Sequence, residues 1–241
     1  MESLTDQKIK AGALFDRIHK RYDLLNHLMS AGLDRRWRRK LVRRLRKRCL
    51  DDGQGTAILD IATGTGDLAL LLARKVPGLR ITASDLSVRM LERARRKFDR
   101  YQRAAIQVME ADAMHLPFGD ESFDAVTVAF GIRNVPDPGN VFSEVWRVLK
   151  PGGCFYMLEF GQSQSRVIAG FMRIYYRTVI PVLGSLVAGD RQAYQYLTRT
   201  IESFPCGETM AKIIRGAGLH TRVADIMAGG NVYLYEGIKK A

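Results

Sequence analysis

Four short runs hold the residue types that site chemistry needs. In "LDIATGTGD", residues 59–67, Gly64 and Gly66 flank Thr65. Glycines there let the backbone turn sharply and approach a ligand closely, and the helix that follows offers free N–H groups. "ITASD" ends in Asp85, nineteen residues after Gly66, where a carboxylate can accept from both hydroxyls of a ribose. "EADAMHLPF" supplies Asp112, an acceptor for an adenine amino group, and Ala113, whose backbone can read the ring edge. "VTVAFGIRNVPDP" places Arg133 and Asn134 straight after an apolar run. A guanidinium and a carboxamide are costly to bury there without partners. The glycines alone could be turn chemistry, and Asp85 alone a helix cap, although Ser87 is available for the cap. Three consecutive strand ends that each match one part of an adenosine form a more specific pattern than any one of them. Gly64, Thr65, Gly66, Asp85, Asp112 and Ala113 are therefore the candidate cofactor-binding residues, and Arg133 and Asn134 the candidate catalytic pair.

The elements that must position these residues alternate. "TAILDIA", "LRITASD", "AIQVMEAD", "FDAVTVAF" and "CFYMLEF" read as strands. "LALLLARKV", "SVRMLERARRKFDRYQ" and "GNVFSEVWRVL" read as the helices between them. This alternation predicts an α/β fold with a doubly wound, mostly parallel sheet. "LHTRVADIMA" and "NVYLYEGI" add a closing hairpin and bring the expected total to seven strands. A single domain is expected, with an N-terminal helical cap over 1–52, a cofactor-binding core over 53–161, a helical insertion over 162–205, and a final helix and hairpin over 206–241. In the cap, Phe15, Ile18, Tyr22, Leu25 and Met29 recur on one helical face.

The chain has 241 residues and a formal charge of +13, and residues 1–50 carry 15 Lys/Arg against 5 Asp/Glu. "RRWRRKLVRRLRKR", Arg35 to Arg48, contains no acid. Such a run is a solvated helix face, a surface for anionic membrane, or a nucleic-acid contact. Trp37, Leu41 and Leu45 form an apolar stripe along it, which suits docking on the domain or resting on lipid headgroups. Cys49, Cys154 and Cys206 are far apart and in no CxxC pair, so neither a disulfide framework nor a zinc site is expected. No metal-ligand cluster is apparent. No apolar run reaches the roughly 18 residues of a spanning helix, and "MESLTDQKIK" lacks the apolar core of a signal peptide. The expected location is cytoplasmic, peripheral at the inner face of the membrane.

The glycine row lacks a third glycine: Ala69 stands at that place, which a dinucleotide fingerprint tolerates only as its Ala variant. "LPFGDESFDAVTVAF" and "VWRVLKPGG" look instead like the approaches to strands four and five of S-adenosylmethionine-dependent methyltransferases. Over most of its length the chain resembles the ubiquinone/menaquinone biosynthesis C-methyltransferases. The resemblance rests on "FDRIHKRYDLLNHLMSAGLDRRWRR", "LDIATGTGD", "DAMHLPFGDESFD", "FGIRNV", "RVLKPGG", "LEF", "IPVLGSLVAGD" and "YQYL". The "FGIRNV" run and the YD-x-x-N-x-x-x-S-x-G spacing are its most specific parts.

The resemblance implies a class I, Rossmann-like methyltransferase that moves a methyl from S-adenosylmethionine to a ring carbon of a polyprenyl hydroquinone. It places cofactor contacts on Thr65, Asp85, Asp112 and Ala113. Ala129 stands where many relatives have Ser, which removes one side-chain contact to the cofactor. Ring methylation asks for a deprotonated phenol, near-attack geometry and donors where charge develops. Arg133 suits a phenolate and Asn134 a ring oxygen. The alternative for Arg133 is pairing with a carboxylate such as Glu159. The base stays open among His19, His27, His115, Asp23 and a water. The insertion, around Phe171, Ile174, Tyr175, Val179, Ile180, Leu183 and Leu186, with Tyr22 and Leu25, is the expected channel for the prenyl tail, or else ordinary core. "ATGTGD" favours demethylmenaquinol over the ubiquinone precursor as acceptor. A nucleic-acid substrate is disfavoured, because the Asn/Asp-Pro-Pro-aromatic turn and a cysteine nucleophile are both missing after strand four. A non-catalytic adenosine-binding protein is the remaining rival.

Overall fold

The computed structural model describes residues 27, 30, 32–49, 55–101, 106–175, 178, 200, 201 and 203–240. The helical face over 15–29 and most of the expected tail channel lie outside them, as do His19 and Asp23.

Seven strands form one sheet in the order β3-β2-β1-β4-β5-β7-β6. They are β1 (Ala57–Asp60), β2 (Arg80–Asp85), β3 (Ile106–Glu110), β4 (Phe123–Ala129), β5 (Leu149–Phe160), β6 (His220–Met227) and β7 (Val232–Ile238). The first five run parallel, and β7 lies antiparallel between β5 and β6. The alternation of strand and helix read from the sequence thus gives the expected sheet, hairpin included. One boundary moves: β5 begins at Leu149, so "KPGG" opens the strand instead of preceding it.

Among the described residues the main helices are α1 (Asp34–Cys49), α2 (Asp67–Lys75), α3 (Val88–Arg100), α4 (Pro138–Val148), α5 (Arg166–Ile174) and α6 (Glu208–Gly216). Their starts follow their sequences. Ser87 caps α3, its hydroxyl accepting from the Met90 N–H at 3.2 Å. Asp137 caps α4 ahead of Pro138, accepting from Gly139 and Asn140. Order reverses between β1 and β4, and the crevice at the carboxyl ends of those two strands is where ligands bind in such sheets.

Helix α1 settles the two options for the apolar stripe. Trp37, Leu41, Val42 and Leu45 are buried in the core that covers one sheet face. Trp37 lies edge-on to Phe160, with centroids 6.3 Å apart, and 6.2 Å from Phe130. The stripe docks on the domain, and the arginines other than the buried Arg38 line the helix's remaining faces. Docking also brings Cys49 beside Cys154 of β5, and the two form a disulfide across a separation of 105 residues. This corrects the expectation from cysteine spacing. Spacing reads local frameworks, and here the packing of α1 on β5 makes the pair. Among the described residues no helix is long and apolar enough to cross a membrane.

If the stripe holds α1 by burial, Leu41→Ala, at a fully buried position, will cost about 2–5 kcal/mol of unfolding free energy in a denaturant titration. Arg43→Ala, exposed on the same helix, will change it by less than about 0.5 kcal/mol.

Candidate active site

The chain leaves β1 at Asp60, which is 1% exposed. Its carboxylate accepts from the Thr63 hydroxyl at 2.6 Å and from the Thr127 hydroxyl of β4 at 2.7 Å. Burial pushes its pKa up to about 6, against the pull of the two hydroxyls and of Arg38. The loop then turns through Gly64 (φ +58°) and Gly66 (φ +80°) into α2. A Cβ on Gly66 would lie 2.3 Å from the Phe98 ring of α3. Gly66 therefore gives the clearance that lets the loop pack on α3.

The Gly64 N–H donates to Asp85 at 2.8 Å, and the Ser87 N–H donates to the other carboxylate oxygen at 2.9 Å. Asp85 thus joins the exit of β2 to the glycine loop. Thr65 is buried, its hydroxyl 3.0 Å from Lys97 Nζ, which also pairs with Asp67 at 2.6 Å. Burial raises the Asp67 pKa, and Lys97 and Arg38 together outweigh that and hold it below the usual carboxylate range.

Beyond β3, Asp112 accepts from the Met114 N–H at 3.1 Å and lies 3.4 Å from His115 Nδ1. Asp112 and Ala113 are half-buried. The Ala111 N–H, donated to the Asp85 carbonyl at 3.1 Å, ties their segment to β2. One cavity is lined by Asp60, Thr63, Gly64, Thr65, Asp67 and Ala129, with Arg38 reaching in from α1. It brings Gly64, Thr65 and Ala129 together, while Gly66 is not in its lining. Asp85 touches it through Gly64, while Asp112 and Ala113 stand outside its lining.

At the exit of β4, Phe130 adopts φ +62°, a conformation costing a non-glycine residue on the order of 1 kcal/mol or more. Its N–H donates to the Leu158 carbonyl at 2.8 Å, and its carbonyl accepts from Arg133 Nη1 at 2.8 Å. Gly131 follows at φ −110°, so it is not the residue that needs left-handed freedom. Its role is clearance: a Cβ there would meet the Ala62 Cβ at 2.6 Å. The loops after β1 and β4 approach as closely as glycine allows.

Arg133 was expected to face an acceptor, with pairing to Glu159 as the alternative, and the pairing is what forms. Arg133 Nη1 lies 2.7 Å from Glu159 Oε1, and both side chains are 1% exposed. The Arg133 backbone N–H donates to the other Glu159 oxygen at 3.3 Å, and the guanidinium stacks on Phe160 at 5.2 Å. Its charge is thus largely spent inside the fold. Two buried atoms here have no hydrogen-bond partner among the described residues: Arg133 Nε and Asn134 Oδ1. His115 is exposed, and His27 accepts from Arg35 and contacts Asp34, so neither is placed as a base beside Arg133.

Asp60, Asp67 and Arg38 were missed as site residues. Asp60 carried a signal, a carboxylate ending a wholly apolar strand. Arg38 carried none, since it is one of ten Lys/Arg between Arg35 and Arg48. It is buried with its charge against Asp34, 5.3 Å over Phe130 and 4.0 Å from Asp67.

Two outcomes follow. Because the Asp60 pKa is raised in the fold, the folded state holds its proton at pH values where the unfolded chain has lost it. Its contribution to stability is full below about pH 4 and is lost as pH rises through about 6. The stability difference between Asp60→Asn and the parent will therefore shift in favour of the variant by about 2–3 kcal/mol from pH 4 to pH 7 in denaturant titrations. Glu159→Ala, which leaves Arg133 buried without its partner, will cost about 3–5 kcal/mol.

Comparisons with known proteins identify the family. The model of the ubiE/COQ5 methyltransferase family matches residues 1–239. A demethylmenaquinone methyltransferase of Thermus thermophilus is 42% identical over 209 residues, 87% of this chain and 92% of that protein. A ubiquinone/menaquinone biosynthesis C-methyltransferase UbiE of Desulfotalea psychrophila is 42% identical over 205 residues, 85% and 80% of the two chains. Among solved structures, phosphoethanolamine N-methyltransferase 2 of Haemonchus contortus in complex with S-adenosyl-L-methionine superposes with a TM-score of 0.62 at 18% identity, covering 83% of this chain and 52% of that one, and at that identity it shows the fold alone. Sequence, sheet order and site loops converge on one conclusion: the chain is a methyltransferase and belongs to the ubiE/COQ5 methyltransferase family.

Proposed function

We propose that the protein C-methylates a polyprenyl hydroquinone with S-adenosylmethionine, and that the acceptor is demethylmenaquinol. Support comes first from the relatives, of which the Thermus thermophilus protein is named for demethylmenaquinone and the Desulfotalea psychrophila protein for both quinones. The residues also fit the cofactor. Asp85 places a carboxylate against the glycine loop, Gly64 and Gly66 open the loop, and the buried Asp60 in the cavity lining is a carboxylate that a bound cation would ionise. In this reading Thr65 and Asp85 hold the methionine and ribose portions, and Asp112 and Ala113 hold the adenine. When bound, S-adenosylmethionine supplies an electrophilic methyl on a sulfonium.

The observation that carries the acceptor side is the pair of unpartnered buried atoms at the exit of β4. An unmet buried acceptor costs about 1–3 kcal/mol, a cost that a substrate hydroxyl would remove. In the proposal Asn134 Oδ1 accepts from a ring hydroxyl and fixes which carbon faces the methyl donor. Arg133 Nε donates to the neighbouring ring oxygen. Because Arg133 is paired with Glu159, its larger contribution is to hold the turn, and less of its charge remains for a phenolate. The prenyl tail would lie along α5, where Val167, Phe171 and Ile174 are exposed. A tail dissolved in lipid gives the basic α1 a reason to sit peripherally at an anionic membrane surface. No nucleic acid is part of this reading, and no metal is needed for it.

The direct test supplies methyl-labelled S-adenosylmethionine with reduced demethylmenaquinone, with the demethylated ubiquinone precursor, or with tRNA. Label is expected in the menaquinone arm. Label only in the ubiquinone arm would move the acceptor, and label in tRNA, or in no arm, would end the proposal. Asn134→Ala will lower kcat/KM for the quinol by about 10²-fold while S-adenosylmethionine affinity, measured by calorimetry, stays within about twofold.

A further inference from the structure

We infer that the cleft between α1, α2 and α3 is a phosphate-binding surface, and that it seats the headgroups of anionic phospholipid. The cleft, of about 480 Å³, is lined by Arg35 and Arg39 of α1, Arg74 of α2, and Arg100 and Tyr101 at the end of α3, over a floor that includes Leu70 and Leu71. The two flanks of α1 differ. On one, Lys40 and Arg44 pair with Asp225 at 2.7 and 2.5 Å, and Arg48 pairs with Glu236 at 2.9 Å. Those charges are matched within the fold. On the flank facing the cleft, Arg39, Arg74 and Arg100 have no carboxylate partner among the described residues, and Arg35 donates only to His27, at 3.2 Å. Asp67 is the acid of the lining, and it already pairs with Lys97.

A concave set of unpaired guanidiniums matches phosphate oxygens in charge and donor geometry. Phosphates also come in nucleic acids. Single strands are held on successive aromatic platforms, but the described lining of this cleft offers one such ring, Tyr101, half exposed with Arg74 over it at 5.2 Å. Leucines beneath arginines instead resemble the order of a bilayer surface, phosphate outside and glycerol and acyl chain within. Arg38 and Asp67 line both this cleft and the cofactor cavity, so lipid seated here would bring that cavity to the membrane. The choice of lipid over a soluble anion rests on the proposed membrane-held acceptor.

Cosedimentation of the full chain with phosphatidylglycerol vesicles free of quinone, at low salt, tests the site apart from any methylation. Arg74→Gln/Arg100→Gln is expected to weaken binding by roughly tenfold or more. Arg46→Gln/Lys47→Gln, which removes the same charge from exposed positions of α1 outside the cleft, is expected to weaken it by less than about threefold. Phosphatidylcholine vesicles should not bind. Equal losses in the two variants would assign the effect to net charge and overturn the site, as would absence of binding to phosphatidylglycerol. Release from the vesicles by millimolar pyrophosphate at constant ionic strength would reassign the cleft to a soluble phosphate. A tenfold loss of poly(U) binding in the cleft variant, with vesicle binding unchanged, would reassign it to nucleic acid. Because no quinol is present, each of these outcomes is separate from the fate of the proposed reaction.

Discussion

The site depends on the buried ion pair between Arg133 and Glu159. Glu159 sits near the end of β5, 1% exposed, and binds both the guanidinium and the backbone N–H of Arg133. The guanidinium in turn clamps the Phe130 carbonyl, and Phe130 holds the left-handed conformation that swings the chain out of β4. A buried pair of this kind gives little net stability, because desolvation offsets most of the attraction, but breaking it is costly. Its effect is to specify one shape for the turn. That shape sets Gly131 against Ala62 and leaves Asn134 Oδ1 buried without a partner among the described residues.

The same turn couples the periphery to the centre. The Phe130 ring lies 4.5 Å from Phe160 and 6.2 Å from Trp37 of α1, and Arg38 stacks on its face. The basic helix is thus packed against the loop that shapes the crevice. Asp60 makes the matching link on the other side, bonding Thr63 of the glycine loop and Thr127 of β4 with one carboxylate. Crevice walls, glycine loop and α1 form one connected set of buried contacts, so the cavity at the glycine loop and the cationic cleft share Arg38 and Asp67.

Much of this was legible in the sequence, for physical reasons. Strand–helix alternation gave the sheet because apolar runs of strand length between amphipathic helices have few other ways to be buried. The Ser87 cap and the glycine turn are local chemistry, and both stand as expected. Pairings across the fold were harder to read. Arg133 with Glu159 could be named only as an alternative, since residue type alone does not say whether a cation meets substrate or protein. The role of Gly131 could not be read from the sequence, because clearance from Ala62 depends on a loop far away in sequence. Cys49 and Cys154 meet only because α1 docks on β5. Arg38 was invisible among the other arginines of its helix, since burial, not type, sets it apart.

The central claim is transfer of a methyl group to a ring carbon of a quinol. The most direct measurement is carbon-13 NMR of the product formed from reduced demethylmenaquinone and S-adenosylmethionine labelled at the methyl carbon. The account predicts one labelled resonance in the range of a methyl on an aromatic carbon. A labelled methoxy resonance, or no label in the quinone, would contradict it.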